Sequence, residues 1–444
     1  MTAASVAIAQ GNVSTQAVQA PSSDGWTLER VVQTALAQHP LVEAARARVE
    51  AARGVRVTAA AFPNPVATYW MENGVFPGQQ LPTNIGRETS TYVTLPLEPF
   101  IQRAPRVRRA DEDIKAAEAS LTLARRQVAL DAVRAFFRVA LAQAVVAAAE
   151  ENRAALEQLV GYNRNRVHEG VTAEGELLRV QVEFDRASTD LALAEVELAR
   201  SRAELAPYVD AGQSPAATLA TLHVAEPSAA VPARAAMPDR DTVLARARNS
   251  RPELVAGRAR VAAAVAETDY EWTVRMRQLG ATFGNKRVEG QNTMIAGVSV
   301  TVPLFDRNRG GVQRANSEKL AAELDLAWNE RTVLAEVQGA YGAAERLTRQ
   351  LITLQQSFLS RADEVYRITV GAYQEGGATL LQVLDATRTR GDSHLTYSRT
   401  LFAQRQSLFE LVLASGTDPL DALTTLQAWK PPGPADDQIA RGVR

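Results

Sequence analysis

From residue 106 to residue 167 the sequence has no proline, almost no glycine and an unbroken helical periodicity, and this stretch constrains the fold more than any other. Small or apolar residues fall at Ala110, Ile114, Ala117, Leu121, Ala124, Val128, Ala132, Ala135, Val139, Ala142, Val146 and Ala149. Steps of three and four alternate, with one stutter where two fours adjoin, as in the seam of a long packed helix. Adding 205 to each position from Ala117 to Ala142 gives Ala322, Leu326, Asn329, Val333, Val337, Ala340, Ala344 and Leu347, and the stutter recurs in place. Both copies follow a Pro-Leu pair, Pro96-Leu97 and Pro303-Leu304. The chain is therefore an internal duplication of one long helical unit.

The rest of each unit can be read around that helix. Helices are expected over 27–38 and 41–61, broken by His39-Pro40 and stopped by Pro63 and Pro65. Period-two runs predict strands over about 67–72 and 90–97, separated by a Gly/Pro/Asn-rich loop. The long helix then spans about 106–167, roughly 90 Å at the usual rise. A turn containing Gly170-Val171 reverses the chain into a return helix over about 174–206. An Ala/Pro-rich linker, 207–240, leads to the second unit, 241–416. Its strands are expected at about 279–285 and 294–302, its helices at about 310–373 and 379–415, and its turn at Gly376-Gly377. Residues 417–444 read as a tail, unstructured from 431 onward, and 1–25 as a signal remnant and disordered leader, with Ala7-Ile8-Ala9 shaped like a signal-peptidase site.

Composition limits function. Net charge is −1 with no basic patch, which argues against nucleic acid as a partner. There is no cysteine, so no disulfide or thiolate metal site. No run approaches eighteen apolar residues, which excludes a conventional membrane-spanning helix. His39, His168, His223 and His394 lie in separate segments without a partner at i+3 or i+4, and Asp111-Glu112-Asp113 suits a helix start better than a metal. Gly310-Gly311 suits a strand-to-helix corner better than an anion site. No nucleophile–base pair or phosphate loop stands out, so neither an enzyme nor a cofactor is expected.

Four amphipathic strands in one chain cannot close a barrel and would leave bare edges. Alternation of apolar with small or polar residues suits a barrel with lipid outside and water inside, closed by several chains; three would give twelve strands. The expected fold is mainly α with a membrane β-barrel: duplicated helical hairpins plus four strands per chain, continued as a helical tunnel. A soluble coiled-coil adaptor is the competing reading, disfavoured by the duplicated strand pairs.

Strands, long helix, glycine turn and return helix, repeated over about 26–416, resemble the outer membrane efflux protein (TolC) family. Pro303-Leu304-Phe305-Asp306-Arg307-Asn308-Arg309-Gly310, with Pro63-Asn64-Pro65 and Leu97-Glu98, is similar to its heavy-metal (CzcC-like) branch. The resemblance implies a homotrimeric duct through the outer membrane lipid and the periplasm of a Gram-negative bacterium. It implies a periplasmic adaptor (membrane fusion protein) and an inner-membrane proton-driven RND pump as partners. Heavy-metal cations are the cargo it favours, drugs or other organic compounds the second. It also implies roles at the tips: Gly170, Val171, Gly376 and Gly377 for adaptor docking, and Asp385, Gln382, Glu176 and Tyr373 around the tunnel entrance. Gln382 and Ala378 depart from the acidic and basic residues of the family pattern. The plainer reading of Asp385 is a helix-face carboxylate beside Arg388.

Overall fold

A computed structural model describes residues 25–74, 77–80, 86–209, 222–225, 237–274, 279–300 and 302–428. The expected leader, most of the linker and the end of the tail lie outside the described residues. The first half runs α1 (Leu28–Gln38), α2 (Pro40–Ala60), β1 (Val66–Glu72), β2 (Glu88–Pro96), α3 (Pro99–His168) and α4 (Glu174–Val209). The second half repeats the order as α5 (Arg240–Ser250), α6 (Pro252–Thr273), β3 (Leu279–Val288), β4 (Gln291–Val300), α7 (Arg309–Thr353), α8 (Leu359–Gln374) and α9 (Leu380–Ala414), and α10 (Pro419–Ala428) closes the chain.

The strands form one antiparallel sheet in the order β1-β2-β3-β4, so its central pairing joins the two halves. Register sets Ala67 opposite Val93, Val93 opposite Phe283 and Phe283 opposite Ala296. Tyr69, Val93, Leu95, Phe283, Met294, Val298 and Val300 therefore share one face, all exposed. The other face carries Thr68, Ser90, Thr94, Thr282, Thr293 and Ser299, with an ion pair between Lys286 and Glu88 at 2.5 Å. The second face is mixed, since Val66, Trp70, Tyr92 and Ile295 also fall on it. A sheet with an exposed apolar stripe and with β1 and β4 at its edges is a barrel segment waiting for neighbours. β3 and β4 extend further than their apolar alternation does, because Glu289 and Gly290, at φ +50° and +88°, make the two-residue turn that keeps polar Lys286 and Thr293 in register.

Helix α3 begins seven residues earlier than the periodicity suggested, with Pro99 in its first turn and Pro105 inside it. Arg106 holds this proline-bearing turn by donating to the carbonyls of Ala59 and Ala61 at 2.8 and 3.0 Å. The expectation that no segment is apolar enough to span a membrane needs correcting. One 18-residue window of α3 has a mean hydropathy of 1.6, yet 44% of it is buried in the protein. Alanine raises hydropathy while leaving room for close neighbours, so that window is a packed seam.

α7 and α8 are one helix interrupted by a π turn, Leu354–Phe358. The cause is visible in the duplication. Ala142 and Leu347 are 205 apart, whereas Gly170 and Gly376 are 206 apart, so the second copy holds one more residue between those points. A π turn absorbs a single inserted residue without rotating the helix beyond it.

Where the helices cross midway, Val31, Val32, Val133, Phe136, Leu205, Leu254, Val337, Leu408 and Phe409 form the main core. Residues 417–428, read from sequence as the start of the tail, belong to it: α10 buries Ala422, Leu423 and Leu426 there. Arg251 is buried in this region, bonded to Glu253, to Glu336 at 2.6 Å and to the Ala414 carbonyl. A buried guanidinium is tolerable only with such a full set of acceptors.

The corner from β4 into α7 is built by Asn308, at φ +53°, whose Nδ2 donates to the backbone and the carboxylate of Glu271 at 2.8 and 2.6 Å. That carboxylate lies 2.4 Å from where a Cβ on Gly311 would stand, so any side chain there would have to displace the Glu271 and Asn308 side chains that build the corner. Arg314 completes the corner by donating to Glu267 and Glu271. The helix N-terminus is thus already occupied by the protein's own carboxylate, which makes Gly311 a corner residue and leaves Gly310 in open space.

Candidate functional site at the hairpin tips

Each long hairpin reverses at a glycine, and the two reversals are built alike. In the first, the Val171 amide donates to the Arg166 carbonyl at 2.9 Å and the Gly170 amide to that of Val167 at 3.0 Å. In the second, Gly377 donates to Ala372 at 2.7 Å and Gly376 to Tyr373 at 3.1 Å. This pattern satisfies the last helical carbonyls and needs a left-handed residue, supplied by Gly170 at φ +72° and Gly376 at φ +80°. Nothing lies within 4 Å of a Cβ placed on either, so conformation alone demands glycine there. Val171 projects into solvent, 64% exposed.

Behind the turns a small core joins the two hairpins: Val160 of α3, Val180 of α4, Tyr373 of α8, and Leu380 and Val383 of α9. Tyr373 is its centre. The hydroxyl donates to Asn163 Oδ1 at 2.7 Å, and Asn163 Nδ2 donates to the Leu159 carbonyl at 2.9 Å. The ring meets Tyr162 edge-on at 5.8 Å, and the Arg166 guanidinium lies 5.4 Å from it and 5.6 Å from Tyr162. Burial pushes the Tyr373 hydroxyl above its ordinary range, opposed by the Asn163 bond and the Arg166 charge, with the Glu176 carboxylate adding to the rise. It is therefore a neutral donor at physiological pH.

The other expected entrance residues are arranged differently. Gln382 and Thr379 form a reciprocal cap at the start of α9: the Thr379 amide donates to Gln382 Oε1 at 2.8 Å and the Gln382 amide to Thr379 Oγ1 at 3.4 Å. Glu176, its counterpart in the first hairpin, has Ala173 in place of the threonine and stays exposed. Asp385 is exposed on α9 and has no hydrogen-bond or ionic partner among the described residues. Arg388, one turn on, pairs with Glu183 of α4 at 3.4 Å rather than with Asp385.

Asn163 and Arg166 escaped the sequence reading. Asn163 continues the seam beyond Leu156 and Val160 at the same three- and four-residue steps, and a polar residue on a buried seam is the signal that points to a buried partner. Three of the four histidines hold local structure: His39 caps α2 and stacks on Tyr208, His223 meets Gln143, and His394 meets Asp363, while His168 is exposed at the end of α3. Asp111, Glu112 and Asp113 are each engaged by a cation. Among the described residues there is no group of three or more His, Asp or Glu that could hold a metal ion.

A sheet with an exposed apolar stripe at one end, long paired helices and two glycine-turned tips at the other suit a duct. The sequence model of the family described as "Outer membrane efflux protein" matches residues 31–209 and 243–417. The chain belongs to the outer membrane efflux protein family. The two matched segments correspond to its two halves, and it is an outer-membrane duct, not an enzyme. Among this duct's relatives is the cobalt-zinc-cadmium resistance protein CzcC of Cupriavidus metallidurans, 24% identical over 88% of this chain and 91% of that one. The nickel-cobalt-cadmium resistance protein NccC of Alcaligenes xylosoxydans xylosoxydans is 25% identical over 71% of this chain and 69% of that one. The fold matches the crystal structure of the outer membrane protein VceC of Vibrio cholerae with a TM-score of 0.70 at 18% identity, covering 88% and 96% of the two chains.

Proposed function

We propose that the duct passes heavy-metal cations out of the cell as a homotrimer, receiving them from a periplasmic adaptor and an inner-membrane pump. The observation that carries the cargo is the similarity, over 88% and 71% of this chain, to proteins named for cobalt, zinc, cadmium and nickel resistance. Three sheets of four strands would close the barrel, and exposed Leu320, Leu324 and Trp328, spaced four apart on α7, give the helices an apolar edge for a neighbouring copy. The tips, with Gly170, Val171, Gly376 and Gly377 outermost, are the docking end for the adaptor. Tyr373 ties the hairpins together there. Unpaired Asp385 forms the acidic entrance ring, Glu176 stands near it, and Gln382 is occupied as a cap. Three Asp385 carboxylates around one axis would favour cations.

Resistance profiling of a deletion strain against zinc, cobalt, cadmium, nickel and copper salts, beside dyes and antibiotics, tests the cargo. Sensitivity confined to metal salts is the expected result. Sensitivity to organic compounds alone would keep the duct and refute the metal assignment. In planar bilayers, Asp385→Ala should lower the cation preference of single channels, and unchanged selectivity would remove the ring.

A further inference from the structure

All the connections between sheet and helices lie at one end of the sheet, opposite the Glu289-Gly290 turn. Three exposed phenylalanines stand at these corners. Phe62 follows α2, Phe100 opens α3, and Phe305, 101% exposed, lies between β4 and α7. Leu304 beside it and Val302, which extends the apolar face of β4, are also exposed. Phe62 and Phe100 pack ring to ring at 5.8 Å, and the Arg103 guanidinium lies 5.4 Å from the Phe62 ring while donating to the Ala60 carbonyl.

The charges at this level divide into two sets. Further along the helices Arg108 is neutralised by Asp269, Arg109 by Glu267 and Arg314 by Glu271, while Arg106 is taken up by the Ala59 and Ala61 carbonyls. At the corners, Arg103, Arg307 and Arg309 are exposed and have no carboxylate partner among the described residues. Two carboxylates share the corners without pairing with these arginines. Asp306 Oδ1 accepts the Asn308 amide at 2.9 Å, and Glu98 Oε2 is buried.

We propose that this collar docks anionic phospholipid of the membrane leaflet on the helix side of the barrel. Phe62, Phe100 and Phe305 enter the acyl boundary, and Arg103, Arg307 and Arg309 take the phosphates. The inference rests on the reading of the sheet as a barrel segment. Two observations choose a lipid over another occupant. The collar continues the apolar, lipid-facing side of the sheet through Val302, and its unneutralised cations complement phosphate. Aromatic rings are favoured at the boundary between acyl chains and headgroups, and a guanidinium matches phosphate with two parallel N–H donors.

The test uses the intact trimer in neutral detergent, with bound lipid counted by native mass spectrometry against phosphatidylglycerol and phosphatidylcholine of matched chains. Phosphatidylglycerol should bind more tightly, by roughly fivefold for each arginine engaged. Replacing Arg103, Arg307 and Arg309 with Gln should abolish the preference, whereas Arg108→Gln should keep it. Phe305→Ser should weaken both lipids while leaving the trimer intact. Equal binding of the two lipids, or a preference that survives the triple substitution, would overturn the proposal. Dissociation of Phe305→Ser into monomers would also overturn it, assigning that face to a second copy. Planar-bilayer conductance of the wild type separates the two readings: conducting trimers without lipid preference defeat the collar alone, and failure to conduct defeats the barrel beneath it.

Discussion

Tyr373 and Asn163 form a buried pair whose bond spans the two halves of the sequence, 210 residues apart. Removing the hydroxyl would strand Asn163 Oδ1 in a fully buried position, a loss of about 1–3 kcal/mol of local stability. Tyr373→Phe should therefore speed amide hydrogen exchange at the ends of α3 and α8 while leaving the sheet unchanged; wild-type protection at the tips would show that the pair is dispensable. The same tyrosine sets a pH window. Its folded value is raised, so its stabilisation is complete below the unfolded value of 10.0 and is lost as pH rises through the folded one. Tip protection should be flat through neutral pH and fall only in alkali, and Tyr373→Phe should remove that fall. At this scale Tyr373 is legible in the sequence by resemblance, and the structure supplies its partner. A residue 210 positions away cannot be paired from periodicity, although the polar break in the seam at Asn163 marks where to look.

The long hairpins depend on two local devices, the glycine turn and the π turn. A side chain at φ +80° costs about 1–2 kcal/mol, so Gly376→Val should destabilise the second turn. Gly377→Ala meets only the Ala372 carbonyl at 3.6 Å and should be tolerated. Comparing the trimer yield of the two variants checks the assignment, and equal yields would show that left-handed geometry is not what the turn needs. The π turn makes a different prediction. Deleting Gln356 should restore continuous α-helix from α7 into α8 without rotating the tip, giving a folded trimer with an equal or higher melting temperature by circular dichroism. Loss of the trimer would mean that the extra residue has become structural. Both devices were legible in part. The glycines stand out against a helix background, and the change of offset from 205 to 206 records the insertion, but only backbone hydrogen bonds show where the extra residue is absorbed.

At the scale of the molecule, a single protomer leaves an apolar sheet face, two bare strand edges and the Leu320-Leu324-Trp328 stripe in solvent. Trp328→Glu should lower the trimer-to-monomer ratio on size exclusion at fixed detergent, and an unchanged ratio would place the interface elsewhere. The sequence by itself determined the duplication, the long helices, the amphipathic strands and the two turn glycines, because each is a local pattern repeated along the chain, written in periods of two and of three to four. Tertiary structure decided which strands pair across the halves, that α10 belongs to the core, that Arg251 is buried among acceptors, and that Glu271 fills the start of α7. Those outcomes depend on contacts between distant segments, which close packing selects and which periodicity along one segment does not encode.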